Sequence, residues 1–333
     1  MTIGSILLWL LAAALAGVLG YFAFVTARVA RQAERLVPPP GRFVTIDGHR
    51  IHYFDRGQGR PIVFIHGLGG TQFHFLPLLA ALERDFRLVA LDRPGSGYST
   101  RVGLTPASPK QHAAFIARFI DELGLERPLL VGHSLGGAIA LAVALDHPDK
   151  ISGLALIAPL TRYQGEVAPE FADLDIRSPL LRRFIAHTIA VPRSLRNGAR
   201  VLACVFGPQE PPADYAVAGG AFSALRPSHF FGTSTDLMAV DPVMLEQQER
   251  YGELKLPVGV IFGTADRVID WQKHGQSLQG VVKKLDAEFL EGVGHMPQFA
   301  EPERVAAFIR RMAAKAFNPV AYNTAARFPR LLG

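Results

Sequence analysis

The chain opens on an unbroken apolar run. From Ile3 to Val25 no charged residue interrupts it, and about 23 residues at 1.5 Å each span a hydrocarbon core of about 30 Å. The run predicts a transmembrane helix. Ala14-Leu15-Ala16 has the small side chains of a signal-peptide cleavage site, but no Lys or Arg precedes the run and it continues past Ala16, so an anchor is the preferred reading. Arg28, Arg31, Arg35 and Arg42 follow. By the positive-inside rule they place the body in the cytoplasm, whereas a cleaved signal peptide would make the protein secreted or periplasmic. Pro38-Pro39-Pro40-Gly41 ends the juxtamembrane helix as a stiff spacer.

Beyond Gly41 the period changes. Phe43–Ile46 and Arg50–Phe54 alternate apolar and polar positions around Asp47-Gly48, a hairpin signal. Short apolar runs of the buried parallel type follow: Ile62–Ile65, Leu88–Leu91, Leu129–Val131, Leu154–Ala158, Val258–Phe262 and, less purely apolar, Leu285–Leu290. Between them Ile116, Phe119, Ile120 and Leu123, and later Val305, Phe308, Ile309 and Met312, repeat as the stripe of a helix packed on a sheet. This is an α/β pattern, a doubly wound and mostly parallel sheet. About ninety residues, 161–252, break the alternation and predict an inserted helical lid. Its apolar clusters are punctuated by prolines 179, 192, 208, 211, 212, 227 and 242. The expected organisation is an anchor (1–27), a basic, Pro-rich linker (28–42), a core in two parts (43–160 and 253–316) around the lid (161–252), and a tail (317–333).

Composition narrows the class. Of 333 residues, 49% are hydrophobic and 19% charged, which excludes a disordered chain. The net charge of +6 is spread without a compact Lys/Arg run in the body, so no nucleic-acid partner is expected. The single cysteine, Cys204, rules out an internal disulfide and a cysteine-based metal cage, and no metal site is expected.

Candidate chemistry lies at strand ends. Leu129–Val131 runs into Gly132-His133-Ser134-Leu135-Gly136 and an Ala-rich helix, a G-x-S-x-G turn in the context that motif needs. Ser134 is the candidate nucleophile. The flanking glycines suit a strained turn with close backbone approach, and the Leu135 amide, unpaired at the helix start, is free to stabilise an oxyanion. A serine needs a base and the base an orienting carboxylate. His295, in the glycine-rich loop after the last strand, and Asp266, just past the strand that begins at Val258, fill those roles; Asp270 reads as a helix N-cap. The second oxyanion donor is expected at the Leu68 amide in His66-Gly67-Leu68-Gly69-Gly70. His66 reads as a structural hydrogen-bonding residue, His133 as pointing to the far side of its strand, and Asp92–Ser99 as a tight turn. The lid is expected to supply no group the chemistry requires, but its aromatic residues, Phe230 and Phe231 among them, suit a substrate pocket.

Together, the H-G-L-G-G loop, D-R-P-G-S-G-Y-S, G-H-S-L-G-G, G-T-A-D and G-V-G-H make the chain resemble an α/β-hydrolase fold protein over roughly residues 43–316. The resemblance implies a Ser134–Asp266–His295 triad, oxyanion amides at Leu68 and Leu135, a helical lid and no cofactor. Epoxide hydrolases and haloalkane dehalogenases share D-R-P-G-x-G-x-S but carry an aspartate where this chain has Ser134, which disfavours both reactions. An anchor followed directly by such a domain also resembles the membrane-bound monoacylglycerol hydrolases in layout. The leading expectation is a membrane-anchored serine hydrolase cleaving carboxylic esters of apolar or lipid-like substrates. The same triad would also serve carbon–carbon, amide or lactone hydrolysis, acyl transfer or perhydrolysis. A non-enzymatic binding protein is disfavoured because no triad member is lost.

Overall fold

The computed structural model describes residues 2–103, 107–165 and 168–318. Its first strands, β1 (Arg42–Ile46) and β2 (His49–Arg56), close through Asp47 and Gly48 with φ of 50° and 79°. Two successive positive φ values are what a two-residue hairpin turn requires, and Asp-Gly meets them at low cost. β3 (Pro61–Ile65), β4 (Arg87–Leu91), β5 (Leu129–His133), β6 (Gly153–Ile157), β7 (Val258–Gly263) and β8 (Leu285–Leu290) complete a sheet in the order β1-β2-β4-β3-β5-β6-β7-β8. The first two strands pair antiparallel and the rest parallel. β3 and β5 to β7 are buried along their length, and so is β4 after the half-buried Arg87, which is why they read as continuous apolar runs.

Helices cover both faces. α1 (Ile3–Leu36) precedes the sheet, and α2 (Leu76–Leu82), α3 (Pro109–Glu122) and α4 (Leu135–Asp146) lie within its first half. α3 begins with a Ser108–Gln111 capping box and Pro109 in its first turn. α5 (Pro179–His187), α6 (Ala190–Phe206) and α7 (Pro227–Glu249) form an insertion between β6 and β7; α8 (Trp271–His274), α9 (Pro297–Ala300) and α10 (Pro302–Phe317) follow. Ile116, Phe119 and Leu141 pack on one face of the sheet, and Phe75, Leu79, Phe308 and Met312 on the other. Parallel order sends the ends of β3, β5, β7 and β8 to one edge, where their loops gather.

Two prolines do not punctuate the insertion as expected. Pro192 sits in the first turn of α6, where an amide would have no helical partner. Pro242 lies inside α7, which continues through it with Ala239, Val240 and Met244 buried around it. Of the expected tail, residues 319–333 lie outside the described residues.

α1 is long and apolar enough to cross a membrane, and none of its apolar window is buried. Its later turns are not free. Thr26 and Ala33 are buried, the Thr26 hydroxyl donates to the Thr188 carbonyl, and Arg226 of the insertion pairs with Glu34 at 2.9 Å.

Candidate active site

Ser134 stands between β5 and α4 with φ 55° and ψ −121°, an arrangement that costs a residue with a Cβ about 1–3 kcal/mol. The surrounding backbone holds it there: its amide donates to the Ile157 carbonyl at 3.1 Å, and its carbonyl accepts from Gly137 and Leu160 at 2.8 and 3.0 Å. A Cβ on Gly136 would lie 1.9 Å from the Ile65 carbonyl oxygen, and one on Gly132 2.5 Å from that of Gly136. Both glycines are therefore fixed by close backbone approach, as the motif suggested.

Asp266 and His295 meet across the β7 and β8 loops. A Cβ on Gly263 would lie 2.1 Å from the Val293 carbonyl oxygen, so the absent side chain is what lets these loops touch. Asp266 Oδ1 accepts from the Val268 and Ile269 amides at 2.8 and 2.9 Å, while Oδ2 accepts from His295 Nδ1 at 2.7 Å. Both side chains are buried. A carboxylate only accepts, so Nδ1 carries the proton and the Nε2 lone pair is left for a substrate or nucleophile. Among the described residues no hydrogen bond of 3.5 Å or less joins the Ser134 hydroxyl to that nitrogen; such pairs commonly tighten only when substrate arrives.

His133 does not point away from this group. Its ring lies 4.9 Å from that of His295, and its Nε2 donates to the His295 carbonyl at 2.9 Å. Burial, followed by the neighbouring His295, pushes the His133 pKa well down, so a neutral imidazole supports the candidate base from behind.

The loop after β3 passes close to Ser134: a Cβ on Gly67 would lie 2.8 Å from that of Ser134. Among the described hydrogen bonds, neither the Leu68 nor the Leu135 amide has an acceptor within the chain. His66 is structural. Its Nε2 accepts from the Arg93 amide at 3.0 Å, so its Nδ1 donates to the Gly67 carbonyl at 2.8 Å.

Sequence reasoning missed the group behind this loop. Arg93, fully buried, donates from Nε to the His66 carbonyl at 3.1 Å and from Nη2 to the Gly67 carbonyl at 2.9 Å. Its Nη1 pairs with Asp236 of α7, which also binds Arg101 and His112. Burial alone would raise the Asp236 carboxyl, but Arg101 and Arg93 beside it hold it well below the usual range. Asp92 in turn accepts from the Gln72 and Tyr98 amides at 2.9 and 3.0 Å, which gives the Asp92–Ser99 turn its shape. No local signal marks Asp236: it lies 143 positions from Arg93 on another element.

Of the insertion's aromatic residues, Phe230 and Phe231 are the two expected at a substrate pocket. Phe230 lines a cavity of about 210 Å³ with Ile176, Ile185 and Ile189, and Phe231 lies beside the Arg182 guanidinium. Among the described contacts neither ring meets Ser134.

Residues 62–308 match the model of a family described as the alpha/beta hydrolase family. A component of the acetoin cleaving system of Cupriavidus necator, a dihydrolipoyllysine-residue acetyltransferase, is 40% identical over 36% of this chain and 32% of its own length. Haloalkane dehalogenase 2 of Mycobacterium bovis is 38% identical over 37% of this chain and 43% of its own. The chain therefore matches less than half the length of these two relatives. Among solved structures, that of a bacterial membrane phospholipase A superposes with a TM-score of 0.65 at 24% identity, covering 96% of this chain and all of the other. At that identity the likeness is one of fold.

Proposed function

This chain belongs to the alpha/beta hydrolase family, and we propose that within it the protein is a serine hydrolase that cleaves carboxylic esters with an apolar acyl group through an acyl-enzyme. One observation carries the reading: the 2.7 Å contact of His295 Nδ1 with Asp266 at the sheet edge where Ser134 heads α4. Ser134 attacks the ester carbonyl while His295 Nε2 takes the hydroxyl proton; the tetrahedral oxyanion is held by the Leu68 and Leu135 amides. His295 then protonates the leaving alcohol, and water activated by the same imidazole releases the acid. Asp266 holds the ring in the tautomer these steps require. A dehalogenase reading is not favoured despite the 38% identical relative, because Ser134 stands where that branch resembles this one except for an aspartate.

The substrate class rests on two further features. The insertion, read as a lid over 161–252, contains a mainly apolar cavity bounded by Ile176, Ile185, Ile189 and Phe230, with Asp173, Arg193 and Ser194 also in its lining. Residues 1–27, read as an anchor that includes most of α1, would hold the enzyme at a bilayer where apolar esters concentrate. The arginines that follow it favour a cytoplasmic body. A fluorophosphonate probe tests the assignment: it should label Ser134 and no other residue, and Ser134→Ala should abolish both labelling and ester turnover while the protein stays folded. Labelling elsewhere, or turnover by Ser134→Ala, would overturn it.

A further inference from the structure

We propose that Arg93 is a positioning residue of the oxyanion hole, aiming the Leu68 amide at the carbonyl under attack, and that Asp236 of the insertion holds Arg93 in the pose that does so. The inference rests on reading Ser134 as the nucleophile.

The argument begins with the peptide plane. The Gly67–Leu68 bond is trans, so the Gly67 carbonyl and the Leu68 N–H point in opposite directions. Fixing one fixes the other. The Gly67 carbonyl is held from three sides, by Arg93 Nη2 at 2.9 Å, His66 Nδ1 at 2.8 Å and the Gly70 amide at 3.3 Å. The preceding carbonyl, that of His66, is held by Nε of the same guanidinium at 3.1 Å. Successive carbonyls along an extended chain diverge, yet these two converge on one planar fork, so the amides that follow them are both turned away from Arg93. Gly67 packs against Ser134; among the described hydrogen bonds neither the Gly67 nor the Leu68 amide has an acceptor, and the Leu68 amide belongs to the peptide whose carbonyl is held from three sides.

Arginine suits this task where lysine would not. Its rigid fork reaches two carbonyls while a third nitrogen pairs with a carboxylate; an ammonium is a single point of charge on a flexible stem. A fully buried guanidinium also needs a countercharge, and Asp236 supplies it from α7. The same helix reaches the other side of Leu68: His229 Nδ1 accepts from the Gly97 amide at 2.9 Å, so its Nε2 donates to the Gly69 carbonyl at 3.2 Å. The insertion thus supports the loop on both sides of the donor.

The test uses the full-length enzyme and a matched pair of substrates, an ester and the thionoester that differs only by sulfur in place of the carbonyl oxygen. Sulfur is the poorer hydrogen-bond acceptor, so the ratio of the two rates reads oxyanion-hole geometry and is insensitive to simple loss of folded protein. Arg93→Lys should lower kcat for the ester about 10- to 100-fold with KM within about 3-fold, and the ester-to-thionoester ratio should fall toward its value in alkaline water. Asp236→Asn should move the same ratio in the same direction by less, and the double variant should lose less than the product of the two. The proposal is overturned if Arg93→Lys leaves the ratio unchanged, whether the rates hold or fall together. Should Arg93→Lys fail to fold, Asp236→Asn decides, and an unchanged ratio there overturns it equally. Turnover by Ser134→Ala would instead sink the underlying reading, so the two failures are distinguishable.

Discussion

His112 and His229 are buried imidazoles whose pKa values burial drives from 6.5 to about 4. The unfolded chain takes up a proton on each as pH falls below about 6.5, while the folded chain resists until about 4, so their contribution to stability is complete above 6.5 and is lost through that window. Each contributes a slope of about 1.4 kcal/mol per pH unit between the two values. The denaturant midpoint should therefore fall steadily from pH 7 to pH 4.5, and His229→Gln should flatten that dependence; a midpoint constant over the range would contradict the burial of these rings. Other residues at the site differ in how much of their role a sequence discloses. Ser134 sits in a local pattern whose glycines are set by contacts of the turn itself, so the turn could be read from five residues. Arg93 stands in an equally visible motif, but its task depends on Asp236, 143 positions away, and on the direction of two carbonyls that no residue pattern encodes.

The strands were the most legible elements, because apart from Arg87 at the start of β4 and His133 at the end of β5 the residues of β3 to β7 are apolar and buried. The β1–β2 hairpin was equally plain from Asp47-Gly48. Prolines misled in α6 and α7, where a first-turn position and tertiary packing outweigh the usual helix-breaking effect. Packing between α1 and the insertion was also hidden, since Thr26 and Thr188 belong to elements with no shared pattern. α7 faces two ways: Asp236 and His229 meet the core loops, while Phe230 meets the apolar cavity. On the proposed ester reading, α7 is where acyl-length preference is tested. Rates on esters should rise with acyl length from two to about eight carbons, each buried methylene contributing about 0.8 kcal/mol at most. Phe230→Ser should flatten that rise while leaving the two-carbon rate within about 3-fold. An equal fall for short and long esters at unchanged melting temperature would place Phe230 in the catalytic apparatus instead.

In the molecule as a whole, one helix runs from an exposed apolar stretch into contact with the insertion that flanks the candidate site. An uncharged segment of about 23 residues is held in a bilayer by apolar burial and not by surface charge, so the protein should stay in membranes through alkaline and high-salt washes. Release by either wash, or a mature chain beginning near Gly17, would remove the anchor and with it the argument for bilayer substrates. The hydrolytic reading is independent of that outcome. It is tested most directly by quenching the enzyme in acid during ester turnover and mapping the mass added to each peptide. The expected result is a single adduct of the acyl mass on the peptide that contains Ser134, formed at a rate sufficient for turnover and absent from Ser134→Ala. Turnover with no adduct, or an acyl group on any other residue, would contradict it.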